Sequence, residues 1–352
     1  MPCIDFNHQP AGESMKAIGY QNNLPADDPQ SLVDITLPDP VAQGRDLLVE
    51  VHAVSVNPVD TKVRKSAKPD AGAWKVLGWD ATGIVKAVGP DVTLFKPGDR
   101  VWYAGSIARA GSNSELQLVD ERIVGRMPAS LDFGQAAALP LTGLTAWEML
   151  FDRMEVPMGE EGKGKTILVI GASGGVGSIM VQLLRQLTQL TIIGTASRPE
   201  TQDWVRELGA HHVIDHSKPL ADEIKKLNLP APQYVASLTH SDAHFDQVVE
   251  AIAPQGKYSL IDDPSTPIDI MKFKRKAISL HWELMFTRAL FTTDDMIEQH
   301  NILNRLAELV DAGTVRTTAN ENYGAINAEN LRRAHAMIES HKARGKVVLA
   351  GF

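Results

Sequence analysis

The chain has 352 residues, 43% hydrophobic and 22% charged, long enough for two domains of ordinary globular composition. Lysine and arginine number 35 against 43 acidic residues, a net charge of −8, which argues against a nucleic-acid partner, since such proteins carry a basic footprint. The one cysteine, Cys3, cannot form an intramolecular disulfide or a cysteine-rich zinc site. No run reaches the roughly 20 apolar residues of a membrane span, so a cytoplasmic protein without membrane contacts is expected.

Residues 1–14 lack the apolar stretch of a signal peptide and read as a flexible leader. From residue 15 to about 140, short apolar runs alternate with Gly and Pro turns. Residues 46–56 end at Asn57-Pro58, residues 82–88 end at Gly89-Pro90, and a turn at Lys96-Pro97-Gly98-Asp99 feeds residues 100–103. This spacing predicts a β-rich unit. Helices are expected within 133–150. Strands are then expected at 165–170, 190–195, 212–215, 234–238, 257–261 and 278–286, alternating with helices of about ten residues, the pattern of βαβ units and a parallel sheet. A long helix over 294–312, a helix near 328–341 and a strand at 346–350 close the chain. The expected plan is a split domain, 15–140 plus 290–352, surrounding an inserted parallel-sheet domain over 141–289.

The central motif is Ala172-Ser173-Gly174-Gly175-Val176-Gly177, after an apolar strand and at the start of a helix. In that context glycines are a dinucleotide fingerprint. Gly174 lets backbone approach a pyrophosphate, Gly177 lets the helix pack on the sheet, and the helix N-terminus favours phosphate. Ala172 stands where the first glycine is expected. The inserted unit is therefore read as a doubly wound Rossmann α/β domain. The residue about 20 positions on, where NAD enzymes place a carboxylate for the ribose 2′-hydroxyl, is Ala196, followed by Ser197 and Arg198. With no carboxylate to repel it, a 2′-phosphate can pair with Arg198, and His216 can add a contact, so NADPH is the expected cofactor. Alternatively, Ser197-Arg198-Pro199 only caps the next helix.

Asn57-Pro58-Val59-Asp60, Gly78-Trp79-Asp80-Ala81-Thr82-Gly83, Pro97-Gly98-Asp99-Arg100-Val101, residues 139–145 and the glycine motif occur in the order seen in medium-chain dehydrogenases/reductases. The chain resembles their zinc-independent quinone oxidoreductase-like, zeta-crystallin-like branch, whose neighbours often carry zinc-type alcohol dehydrogenase names. The resemblance implies a GroES-like β domain around the Rossmann domain, a cleft between them, and a homodimer formed through the last Rossmann strand. In the zinc enzymes a Cys ligand precedes an acidic residue and a Gly-His-Glu segment supplies the next ligand. Asn57 and Trp79 stand at those positions here, so no metal is expected.

Without a Lewis acid to stabilise an alkoxide, the favoured chemistry is hydride delivery to an electron-poor acceptor, a quinone or an α,β-unsaturated carbonyl. The resemblance puts Asn57 and Thr142 beside the cofactor, with backbone at Leu260-Ile261 and the side chain of Lys346 completing the cleft. Lys62, where related enzymes often carry Tyr, and Tyr103 are the candidate proton donors or carbonyl-orienting groups, alongside water. Trp79, Trp282, Met285 and Phe286 are expected to wall a flat substrate, or else to pack in the core or a dimer interface. Alcohol or carbonyl dehydrogenation and a cofactor-binding structural role of the crystallin type are the alternative functions.

Overall fold

The structure, a computed structural model, describes residues 14–352. Cys3 and the expected leader lie outside the described residues, except Ser14, which opens the first strand. The first part of the chain forms β1 (Ser14–Tyr20), β2 (Val33–Pro38), β3 (Asp46–Val56), α1 (Pro58–Ser66), β4 (Lys75–Val76), β5 (Ala81–Val88), β6 (Arg100–Tyr103), β7 (Leu116–Asp120) and β8 (Val124–Arg126). Two helices follow, α2 (Phe133–Ala137) and α3 (Pro140–Trp147), and α3 continues as a π-helical stretch, Glu148–Arg153. The alternating part comprises β9 (Thr166–Ile170), α4 (Gly175–Leu187), β10 (Thr191–Thr195), α5 (Pro199–Glu207), β11 (His212–Ile214), α6 (Leu220–Lys226), β12 (Tyr234–Ser237), α7 (Ser241–Ala251), β13 (Lys257–Leu260) and β14 (Ser279–Trp282). The chain closes with α8 (Thr287–Phe291), α9 (Glu298–Asp311), β15 (Ala319–Asn322), α10 (Ala328–Glu339) and β16 (Lys346–Ala350).

Strands β9 to β14 make one parallel sheet in the order β11-β10-β9-β12-β13-β14. Numbered from its own first strand this is 3-2-1-4-5-6, the doubly wound dinucleotide-binding order. The central strand β9 reads Thr-Ile-Leu-Val-Ile and every residue is buried, as expected where helices cover both faces of a parallel sheet. A second sheet runs β15-β16-β3-β5-β6-β8, with β7 also paired to β3. Its pairs are antiparallel except β15–β16. A small antiparallel sheet, β2-β1-β4, flanks it.

Two expected elements are shorter than the apolar pattern suggests. The strand expected over 278–286 stops at Trp282, because Glu283 turns inward and its carboxylate accepts a hydrogen bond from Arg153 Nε at 2.9 Å. The helix expected from residue 294 begins at Glu298. Residues 294–297 instead form turns around Asp295, which is held by Arg288 at 2.9 Å.

Helices α1 and α10 are joined by an ionic contact inside the protein. Arg64 is fully buried, and its Nη1 meets His335 Nδ1 at 3.0 Å while Nη2 pairs with Glu339. An arginine is a donor only, so Nδ1 of His335 accepts and the imidazole is neutral. Burial first, and then the charges of Arg64 and Lys65, push the His335 pKa down to about 3. In the unfolded chain a histidine takes its proton near pH 6.5. The stability from this site is therefore complete above that pH and is lost as pH falls toward about 3. From pH 7 to pH 5 the loss is roughly 2 kcal/mol. Urea unfolding at the two pH values checks this: His335→Asn should show a smaller drop than the parent chain, and an equal drop would rule the linkage out.

Candidate active site

The carboxyl end of β9 carries the glycine loop. Gly171, not Ala172, takes the left-handed turn, with φ 83°, and it lies one residue before the motif as first delimited. Ala172 is buried in the helix–sheet packing, its Cβ beside Gly194 on β10. Gly177 has no room for a side chain, because a Cβ there would lie 2.4 Å from the Gly171 carbonyl oxygen. Helix α4 starts at Gly175 with no side-chain cap, so its first-turn N–H groups keep the polarity that attracts an anion. The loop is also fastened to the other sheet: the Gly345 N–H donates to the Ser173 carbonyl at 3.0 Å. These are the features of a pyrophosphate cradle.

Beside the loop lies a buried polar cluster. Lys346, the first residue of β16, has its ammonium inside the protein. It donates to Val56 O at 3.1 Å, to Asp80 Oδ2 at 3.0 Å and to Asn57 Oδ1. Asn57 Nδ2 donates to Asp80 Oδ2 at 2.9 Å, and Asp80 Oδ1 accepts the Leu141 N–H at 2.8 Å, at the start of α3. Asn57 ends β3 and begins α1, where its N–H donates to Asp60 Oδ2 at 2.7 Å. Burial pushes the Asp60 carboxyl up to about 7, against its Asn57 hydrogen bond and the Lys346 charge. Burial also raises the Asp80 pKa, with the Lys346 ammonium opposing. The stem of Lys346 and the methyl of Thr142 close over Gly175, where a Cβ would meet them at 2.8 and 3.1 Å. The structure thus groups Asn57, Thr142, Lys346 and the glycine loop. The charged end of Lys346 is turned into the cluster.

The other expected residues divide. Ser197 is exposed just past β10. Arg198 follows it, donating to the Lys342 carbonyl at 3.2 Å and pairing with Glu200 at 3.3 Å. His216 sits past β11 with Nδ1 3.1 Å from Thr195 Oγ1. Burial lowers its pKa, and nearby His240 adds to that. Its ring lies 6.1 Å from His244, and His240 lies 5.7 Å from His341. These four imidazoles stand around the carboxyl ends of β11 and β12; isolated in sequence, His244 and His341 gave no signal. Leu260 is buried at the end of β13 with its carbonyl taken by the Glu283 N–H, and Ile261 is half-buried beyond it.

Lys62, on α1, is half exposed and reaches Asp263, past β13, at 2.7 Å. It therefore links the two lobes at the surface. Tyr103 is only 1% exposed, its hydroxyl has no partner, and burial raises its pKa. That placement puts it in the core against the second sheet, on β6, with its hydroxyl enclosed. The four aromatic and apolar wall residues are not together. Trp79, Met285 and Phe286 are buried, with Trp79 packed edge-on to Phe286 at 6.1 Å. Trp282 lies 57% exposed on the outer edge strand.

The donor set does not fit zinc. Asn57 offers an amide already spent on Lys346 and Asp80. The Trp79 indole donates to the Ser106 carbonyl at 3.2 Å and has no lone pair to give. Among the described residues no group of three or more His, Cys, Asp or Glu side chains is placed to hold a metal ion.

The chain matches the alcohol dehydrogenase GroES-like domain over residues 43–137 and the zinc-binding dehydrogenase family over residues 208–349. It is 38% identical over 336 residues to a zinc-type alcohol dehydrogenase-like protein of Staphylococcus aureus (strain MSSA476), covering 95% of this chain and 99% of that one. To a quinone oxidoreductase of Pseudomonas aeruginosa it is 30% identical over 308 residues, with 87% and 91% covered. Among solved structures, one from Rhizobium etli CFN 42, provisionally named a zinc-dependent alcohol dehydrogenase, superposes with TM-score 0.93 at 60% identity, covering 97% and 99%. A mycobacterial protein complexed with NADPH superposes with TM-score 0.81 at 25% identity, covering 96% and 99%. With such likeness along nearly its whole length, the chain belongs to the medium-chain dehydrogenase/reductase superfamily, oxidoreductases that use a nicotinamide cofactor.

Proposed function

We propose that the chain is an NADPH-dependent, zinc-independent reductase that delivers hydride to a quinone or an α,β-unsaturated carbonyl. The observation that carries this reading is the Lys346 ammonium held between Asn57 and Asp80. Asn57 stands at one ligand position of the metal-dependent relatives, and Asp80 follows the other, Trp79. A dication placed beside the ammonium would meet a like charge in a poorly screened interior. The quinone oxidoreductase relative supports the substrate class, and the NADPH complex of a structural neighbour supports the cofactor.

When bound, the reduced nicotinamide supplies the hydride. The chain binds and orients. Its glycine loop and the start of α4 face the pyrophosphate, while exposed Ser197 and the Arg198 guanidinium serve the 2′-phosphate. Asn57 and Thr142 fix the nicotinamide end of the cleft, and Lys62, on exchanging Asp263 for substrate, orients the acceptor oxygen. Negative charge arriving on the acceptor spreads over its conjugated system, so no Lewis acid is required. Solvent water completes the proton count. Catalysis on this scheme comes from proximity and hydrogen bonding.

We further propose a homodimer through β14, the unpaired edge of the parallel sheet. Trp282 on β14, Leu284 just past it and Phe291 at the end of α8 are 57, 51 and 75% exposed. An uncovered apolar edge strand is a template for pairing with another chain.

NADPH oxidation measured against a panel of quinones and enals should proceed equally with and without a chelator. Chelator-sensitive alcohol oxidation would overturn the zinc-free reading, and tight NADPH binding with no turnover of any acceptor would overturn the reductase. Arg198→Asp should weaken NADPH about tenfold or more while leaving NADH nearly unchanged; equal losses would refute the 2′-phosphate assignment. A chain carrying Trp282→Glu and Leu284→Glu should elute and scatter light as a monomer, and an unchanged dimer would place the interface elsewhere.

A further inference from the structure

We propose that Asp80 is a positioning residue for hydride transfer, and that with Lys346 it forms a buried brace joining the Asn57 amide to the glycine loop. The inference rests on the proposed function above, in that Asn57 and the loop are taken to meet the cofactor.

Each member of the brace is held by several partners. The three ammonium hydrogens of Lys346 have three acceptors, Val56 O, Asn57 Oδ1 and Asp80 Oδ2. The Asp80 carboxylate receives three donors: Leu141 N–H on Oδ1, and Asn57 Nδ2 and Lys346 Nζ on Oδ2. The Asn57 amide therefore has one orientation. Turned over, it would set its NH2 against the ammonium and its oxygen against the carboxylate, two mismatches in a buried site.

The same two residues lead to the cofactor loop by two routes. The stem of Lys346 presses on Gly175, and the neighbouring Gly345 N–H holds the Ser173 carbonyl. Asp80 holds the Leu141 N–H at the start of α3, and the next residue, Thr142, closes on Gly175 from the other side. Asn57 and the pyrophosphate cradle are thus set by one ion pair, although they belong to different sheets. The Arg198 end of the cofactor site is outside this brace. Removing the brace should accordingly disorder the nicotinamide end while leaving most of the affinity in place.

The test uses the whole chain with Asp80→Asn, and with Asp80→Asn and Lys346→Met together. The pair removes both charges, so neither is left buried alone. Asp80→Asn, isosteric with the parent, covers the case in which the double variant fails to fold. Three quantities are read: the thermal midpoint without cofactor, the NADPH dissociation constant, and the fluorescence lifetime of the bound reduced nicotinamide. Single-turnover hydride transfer to a quinone is the fourth. Folded variants should keep NADPH affinity to within about fivefold, shorten the nicotinamide lifetime, and transfer hydride about tenfold or more slowly. Folded variants with unchanged lifetime and rate would overturn the positioning role, as would a loss of affinity and rate in equal proportion. Failure of the parent chain itself to bind NADPH would overturn the proposed function, and the brace's role with it.

Discussion

A lysine ammonium taken out of water must find three acceptors and a countercharge, or its burial costs several kcal/mol. In this protein that requirement organises the join between two sheets. Lys346 opens the last strand, its acceptors come from the end of β3 and from the segment before β5, and its stem lies on the glycine loop. The strand pairing β16–β3, the start of α1 at Asn57 and the start of α3 at Leu141 all converge on this one charge. Asp60, with its carboxyl near neutrality, sits as a second acid within the same shell and need not carry a full charge there.

Much of the parallel domain was legible because its physics is local. Apolar β-branched runs of about five residues, spaced by amphipathic helices, have few other solutions. The six strands found in the doubly wound order follow from that pattern. The glycine loop was legible in type but not in register. The turn belongs to Gly171 by its backbone angle, and dihedral angles are not written in the spacing alone. The end of β14 was illegible for another reason. Residues 278–286 are rich in apolar side chains around Glu283, and only the distant partner Arg153, itself paired with buried Glu148, explains why the chain turns there.

The candidate site shows the same division between local and distant causes. Motif residues such as Asn57 and Asp80 could be picked out because they fall in short, ordered strings. Their mutual geometry could not, since Lys346 arrives from 266 residues further along the chain than Asp80. Side chains chosen for chemical type alone fared differently. Tyr103 and Trp79 are sealed in packing, and Trp282 is exposed on the edge strand β14, because position in the assembled fold decides a side chain's surroundings before its chemistry can matter. The histidines past β11 and β12 come together only once the sheet is assembled.

The placement of β16 has a consequence for how the chain folds. Strand β16, far along the chain from β3, is not at the rim of its sheet but between β15 and β3. Strand β3 finds β5 and β7 soon after it in sequence, but the edge of its second half, Ala53–Val56, is covered only when β16 is present. The parallel domain, whose strands follow one another in sequence, has everything it needs earlier and can condense first. A chain lacking β16 would then hold a folded parallel domain beside an open β edge on β3. Pairing of β16 with β3 is thus a closure made between two distant parts of the chain, and it brings Lys346 onto Asn57 and Asp80 at the same time.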